Sequence, residues 1–195
     1  MRQSAKSPSA PVVVRPARAD EYAAAGDLVV TAYREGGLLV GDRGYDVVLR
    51  DVAGRVDDSL VLVAVREGVL VGTVTIARAG SRHAEVAVVG ETEFRYLGVH
   101  PDSWGTGVAQ SLVVACEEQA RQCGDDWIVL SVIDNNVAAL GLYAHLGFER
   151  LPERDWEPAP SVRLLVSRRA VSESYPGKEA CSVDQYPGDL PSCHK

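Results

Sequence analysis

Leu97-Gly98-Val99-His100-Pro101-Asp102-Ser103-Trp104-Gly105-Thr106-Gly107-Val108-Ala109 is the stretch from which the rest of this chain can be read. A β-rich run ends at Pro101, a short polar loop follows, and Gly105-x-Gly107 opens a segment of helical period. Val108, Leu112, Ala115, Cys116, Gln119, Ala120 and Cys123 form its apolar stripe, with Gln119 the polar exception. Glu117, Glu118, Arg121 and Gln122 are expected to face water, and Gly124 stands where a helix C-cap belongs. Glycines let a backbone approach a ligand closely and leave successive N–H groups pointing outward. The dipole of the helix adds about half a positive charge at its N-terminus. A strand, a glycine loop and a helix start in that order make a seat for phosphate or diphosphate. Without a ligand the same residues are simply a glycine-rich turn.

Working outward, Trp127 to Ile133 reads as a buried strand. Asn135 and Asn136 can cap a helix over 137–146 that Gly147 closes. Phe148 to Leu151 and Val162 to Val166 are the last strands. Upstream, Leu60 to Arg66 and Val69 to Ala77 flank Glu67-Gly68, the clearest hairpin in the chain and necessarily antiparallel. Residues 84–89 and 93–100 read as further strands, turning near Gly90. Val12 to Arg15 is a short strand ended by Pro16. Asp20 can cap a helix with apolar residues at 24, 25, 28, 29 and 32, stopped by Gly36-Gly37, and a weaker helix spans Tyr45 to Val56. The order predicts an α/β domain with a mixed, mostly antiparallel sheet flanked by helices, because the strand–helix–strand unit over 93–133 is expected to be parallel. The expected organisation is an extension over 1–11, one domain over 12–167 and a mobile tail over 168–195, where apolar periodicity stops.

At 195 residues and 20.9 kDa one domain is the default, and a core of that size needs neither disulfides nor a structural metal. The net charge of −7 argues against a nucleic-acid partner, which calls for a basic patch, and fits a cationic one. The apolar run Leu60-Val61-Leu62-Val63-Ala64-Val65 falls far short of the roughly 20 residues a membrane span needs. No apolar segment precedes Val12, so neither a secretory leader nor a membrane partner is expected, and the expected location is cytoplasmic. The cysteines at 116, 123, 181 and 193 contain no C-x-x-C pair and no histidine at zinc-finger spacing, so no metal is expected. Cys116 and Cys123 read as small core residues. Cys181 and Cys193 could close a loop, which a reducing cytosol disfavours.

Three nucleotide sites compete for the glycine loop. A Walker loop fails for want of Gly-Lys-Ser/Thr. A dinucleotide fingerprint has acidic residues at Asp125 and Asp126, but Gln110 stands at its third glycine and an antiparallel hairpin precedes it. The third is a coenzyme A site. Val99-x-Pro101 with Trp104-Gly105-Thr106-Gly107-Val108-Ala109 resembles the diphosphate loop of the GNAT superfamily of N-acetyltransferases, usually [Gln/Arg]-x-x-Gly-x-[Gly/Ala]. Asn136-Val137-Ala138-Ala139-Leu140-Gly141-Leu142-Tyr143-Ala144-His145-Leu146-Gly147-Phe148 resembles that family's second motif, Asn-x-x-Ala-x-x-x-Tyr-x-x-x-Gly-Phe. The resemblance spans 12–167 and departs at Trp104, which replaces the loop's Gln or Arg. It implies a splayed central strand pair and acetyl-CoA as co-substrate. It also implies that backbone groups of Leu97 and Val99 meet the pantetheine arm as an added strand would, with Asn136 opposite. The backbone from Gly105 through Thr106, Gly107 and Val108 to Ala109 would seat the diphosphate.

Strand alternation puts Glu93, Arg95, Leu97 and Val99 on one face. Glu93 then matches the position where some family members carry the base that deprotonates the acceptor; alternatively it pairs with Arg95, and Glu91 and Glu85 are rival carboxylates. Asn136, Ala139 and Tyr143 share a helical stripe, and the resemblance makes the Tyr143 phenol the proton donor to the leaving thiolate. The acceptor end is expected to be shaped by the first two helices, about 20–56, and by the 152–161 loop, where Trp156 either walls an acceptor pocket or covers the end of the sheet. The implied reaction is direct attack of an amine, on a small molecule or a peptide, on the thioester of acetyl-CoA in a ternary complex. The alternatives are a non-catalytic acyl-CoA sensor on the same fold and a dinucleotide enzyme. A homodimer stays open.

Overall fold

The computed structural model describes residues 10–39 and 44–172. Eight strands form one sheet in the order β1-β2-β3-β4-β5-β8-β6, with β7 paired to β8. They are β1 (Val13–Pro16), β2 (Leu60–Arg66), β3 (Val69–Arg78), β4 (Glu91–Val99), β5 (Trp127–Ile133), β6 (Glu149–Arg150), β7 (Trp156–Ala159) and β8 (Val162–Ala170). Only β4 and β5 are parallel; the other pairings are antiparallel. The mixed α/β architecture expected from the element order is the one observed. Helices α1 (Tyr22–Glu35), α2 (Tyr45–Arg50) and α3 (Val52–Arg55) precede β2; α4 (Val108–Gln122) joins β4 to β5, and α5 (Val137–His145) follows β5.

The sheet carries a core on each face. On one, Leu112, Val113, Cys116 and Ala120 of α4 pack with Phe94, Ile128, Leu130, Tyr143 and Phe148. On the other, Ala25, Val29 and Val30 of α1 pack in smaller clusters with Val52, Val61 and Val63 and with Leu49 and Tyr96. The two central strands are thinned where the helices press closest. A Cβ on Gly98 would stand 3.0 Å from Val29 Cα of α1, and one on Gly72 would stand 2.8 Å from Val108 Cγ1 of α4. Gly72 lies opposite Val99 and Thr73 opposite Gly98, so both close approaches fall at one level of the sheet.

Four expectations change. Residues 84–89 are a loop, because the N–H groups of Glu85, Val86 and Ala87 are taken by the Glu93 carboxylate and cannot join a ladder. The helix expected over Tyr45 to Val56 is two helices, because Asp51 leaves helical geometry (ψ 67°) and its carboxylate accepts from Gly54 N at 2.9 Å. Glu117 does not face water: it is buried at 2% exposure, paired with Arg169, and accepts from Ser172 N at 3.1 Å and Ser172 Oγ at 2.9 Å. Those same contacts move the start of the tail. β8 runs to Ala170 beside β5, with Arg168 stacked 4.1 Å over the Trp127 ring, so 168–172 belong to the domain. Cys181, Cys193 and the remainder of the expected tail lie outside the described residues, as does most of the 1–11 extension.

Gly98→Ala is expected to lower stability by about 1–3 kcal/mol, because the helix backbone at Val29 cannot yield as a side chain can. Urea unfolding of the variant checks this.

Candidate active site

Parallel pairing of β4 and β5 lasts three residue pairs: Glu91 with Trp127, Thr92 with Ile128, and Glu93 with Val129. Beyond them β4 stays with β3 and β5 stays with β8, and the two strands diverge. The gap is a cleft of about 1180 Å³, lined on one side by Phe94 to Val99 and on the other by Leu130 to Ile133. In β4, Tyr96 has a φ of +53°, and the register slips by one residue between Thr73 and Thr75 against Arg95 and Gly98. That is a β-bulge, which twists and bends its strand. It also exchanges the faces. Arg95 and Tyr96 turn toward α1 and α2, whereas Leu97 and Val99 join Phe94 in the core beneath α4. The expected single face of Glu93, Arg95, Leu97 and Val99 is therefore split in two.

The strained Tyr96 is held from both sides. Its ring lies between the guanidinium groups of Arg55 (4.7 Å) and Arg95 (4.6 Å). Arg55 is buried and donates to Val48 O (2.7 Å) and Leu49 O (3.1 Å), tying α2 to the bulge. Arg95 donates to His83 O at 2.7 Å and pairs with Glu85 at 2.5 Å. A non-glycine residue at positive φ costs of order 1–3 kcal/mol and persists only where its surroundings over-determine it.

Glu93 is placed away from the cleft lining. It has no solvent exposure, and its Oε2 accepts the N–H groups of Glu85 (2.9 Å), Val86 (2.8 Å) and Ala87 (3.0 Å). Its Oε1 has no hydrogen-bond partner and lies 3.7 Å from Arg95 Nε. Burial raises its pKa above the ordinary carboxyl value, opposed by the three N–H groups and by Arg95. Glu91 is likewise buried, against Arg154 at 2.8 Å. Of the three carboxylates weighed from sequence, Glu85 is the one on the cleft wall.

The far end of the cleft is the glycine loop. Gly105 and Gly107 have φ of +70° and +84°, and a Cβ on either would meet nothing within 4 Å. Gly107 is the N-cap of α4 and offers no side chain to cap its first turn. Gly105, Gly107, Val108 and Ala109 line the cleft, whereas Thr106 turns its hydroxyl to Ser103 O at 2.7 Å. Trp104, half exposed, folds back so that its indole N–H donates to Val99 O at 2.8 Å, occupying one of the β4 carbonyls expected to be free. Leu97 remains on the cleft within the bulged segment.

Asn136 and Tyr143 reach the same cleft from the β5 side. Asn136 Oδ1 caps α5 by accepting from Ala139 N at 3.1 Å. Tyr143 is buried in an aromatic triangle with Phe94 (5.7 Å) and Phe148 (5.6 Å), and burial raises its phenol pKa, keeping it protonated. Tyr33 and Tyr45, on the helices expected to shape the acceptor end but not singled out as residues, line the end near α1 and α2 with Arg34, Asp46 and Arg95. Trp156 lines that end too, as the first residue of β7, which forms within the expected 152–161 loop. Among the described residues no cluster of side chains could hold a metal ion, and no helix is long and apolar enough to cross a membrane.

Comparison with known proteins follows the same lines. The model of the acetyltransferase (GNAT) family matches residues 29–148. A GNAT-family acetyltransferase from Staphylococcus aureus Mu50 superposes with a TM-score of 0.64 at 14% identity, covering 83% of this chain and 99% of that one. The yncA protein of Salmonella typhimurium, solved with acetyl-CoA, gives 0.61 at 22% identity over 84% and 96%. The PaiA N-acetyltransferase of Thermoplasma acidophilum, in complex with coenzyme A, gives 0.62 at 13% identity over 81% and 99%. These likenesses concern the fold.

Replacing Glu93 by Ala removes the acceptor of three part-buried N–H groups and is expected to cost about 3 kcal/mol, whereas Glu93→Gln keeps an acceptor and costs about 1–2 kcal/mol. Chemical denaturation of the two variants measures the difference.

Proposed function

The chain belongs to the acetyltransferase (GNAT) family, and from that premise we propose that it transfers the acetyl group of acetyl-CoA to an amine, on a small molecule or a peptide, in a ternary complex. The observation that carries the reading is the continuity of the cleft. It runs from an uncapped helix N-terminus at Gly107, past diverging strand edges, to an end lined by Tyr33, Tyr45, Glu85 and Trp156. The residues fit the coenzyme. The N–H groups of Gly105, Gly107, Val108 and Ala109 suit a diphosphate, and the open space over both glycines admits one. The unpaired edge of β4 around Leu97 suits the amides of the pantetheine arm, with the Asn136 amide opposite. Acetyl-CoA supplies an activated acyl group, and everything else falls to this chain.

Its first task is positioning, which can account for much of the rate when two reactants are held in line. The second is to take a proton from the acceptor ammonium. Glu85 stands on the cleft wall and Glu93 does not, so we assign the base to Glu85, acting directly or through a water, with Arg95 fixing its carboxylate. Glu93 acts one step back: its carboxylate binds the N–H of Glu85 itself and so positions the base. The third task is to donate a proton to the departing sulfur, for which a buried phenol that stays protonated is suited, and this falls to Tyr143. Backbone N–H groups beside the β4 bulge would polarise the acyl oxygen.

Acetyl-CoA should raise the melting temperature by mass action while NAD leaves it unchanged; a flat response to millimolar acetyl-CoA would contradict the coenzyme reading. Tyr143→Phe should lower kcat by on the order of 10²-fold with coenzyme affinity intact. Turnover should rise with pH to a plateau as the acceptor loses its proton. Glu85→Gln should lower that plateau by at least about tenfold, and Glu93→Gln should leave the shape of the profile alone. Thiol release with a panel of amines reads all of these. Turnover undetectable with every amine alongside tight acetyl-CoA binding would favour the sensor instead.

A further inference from the structure

The diphosphate seat lacks a cation of its own. Where related loops carry Gln or Arg, this chain has Trp104, whose indole N–H is spent on Val99 O. The basic residues lining the cleft, Arg34 and Arg95, stand at its opposite end. Coenzyme A carries a diphosphate and a further phosphate, and this chain carries a net charge of −7. Backbone N–H groups alone would have to hold those phosphates against a repulsive field.

Arg66, the last residue of β2, reaches the loop from behind. Its Nη1 donates to Thr106 Oγ1 at 3.0 Å and its Nη2 to Thr106 O at 3.3 Å. Thr106 Oγ1 in turn donates to Ser103 O at 2.7 Å. The fork thus grips the residue between the two glycines whose positive φ values shape the nest. Among the described residues no carboxylate pairs with Arg66, no other basic side chain bonds residues 104–109, and its Nε is buried without a partner. Arg66 is half-buried, so its charge is only partly screened by water and can act on an anion bound at the loop.

We infer that Arg66 is the positioning residue of the coenzyme loop, supplying from β2 both rigidity and a positive charge to a loop that carries Trp104 in place of Gln or Arg. The inference rests on the coenzyme A reading above. Arg66 acts through Thr106: it fixes the orientation of the loop's N–H groups and adds its charge to the helix dipole behind them. Lysine has the charge without the two-pronged fork, so the two contributions separate by substitution.

The test is calorimetric titration of coenzyme A and of its 3′-dephospho form into the full chain and its Arg66→Met and Arg66→Lys variants, with steady-state kinetics beside it. Arg66→Met should weaken both ligands by about tenfold, as loss of a charge-assisted contact predicts. It should raise KM for acetyl-CoA by a like factor while kcat and the acceptor KM stay within about twofold. Arg66→Lys should recover part of the loss, and added salt should weaken coenzyme binding less in Arg66→Met than in the parent. Parent-like binding by Arg66→Met, or a fall in kcat with KM unchanged, overturns the inference and leaves the coenzyme reading standing. Failure of the parent chain itself to bind coenzyme A overturns both.

Discussion

The parallel ladder between β4 and β5 stops at Glu93 and Val129, and the cleft exists because it stops there. Each strand has a better partner on its other side, β3 for one and β8 for the other, so neither is released when the pair separates. The bulge at Tyr96 adds the twist that carries β4 away. An extended ligand can then take up backbone groups that a sheet would otherwise consume. The price is a tyrosine at positive φ, and two guanidinium groups and the packing of α1 against it hold that conformation in place.

Charge in this protein is largely structural. Glu93 fastens the 85–87 segment, Glu91 fastens Arg154, and Glu117 fastens the end of β8, each of them buried. A buried carboxylate contributes little net stability when paired and is expensive when its partner is removed, so such groups specify geometry more than they add stability. What they specify lies next to the cleft. The Glu93 network places Glu85 on the wall, and the Arg55–Tyr96–Arg95 stack joins the bulge to α2. The two ends of the cleft are therefore mechanically linked through β4.

The glycine loop shows the same economy at the other end. Trp104 pins it to β4 and Arg66 pins it to β2, so the loop is held from two sides. Rigid support of this kind matters because backbone N–H groups bind an anion well only when they already converge.

Local chemistry wrote the elements into the sequence: the hairpin at Glu67-Gly68, the stripe of α4, the Gly105-x-Gly107 start, and the Asn136–Ala139–Tyr143 face. Each depends on residues a few positions apart, whose spacing alone selects a conformation. What depends on distant partners was not legible. Alternation put Glu93 on a face with Leu97, but the bulge between them arises from how β3 and β4 register under two helices pressing at Gly72 and Gly98. Glu117 read as exposed because its partners Arg169 and Ser172 lie more than fifty residues on. The first two helices were expected at the acceptor end, but not which of their side chains line the cleft, and nothing near Arg66 pointed to Thr106. Secondary structure follows from neighbours along the chain, whereas the fate of a charge or the face of a strand is settled by whichever segment folds against it.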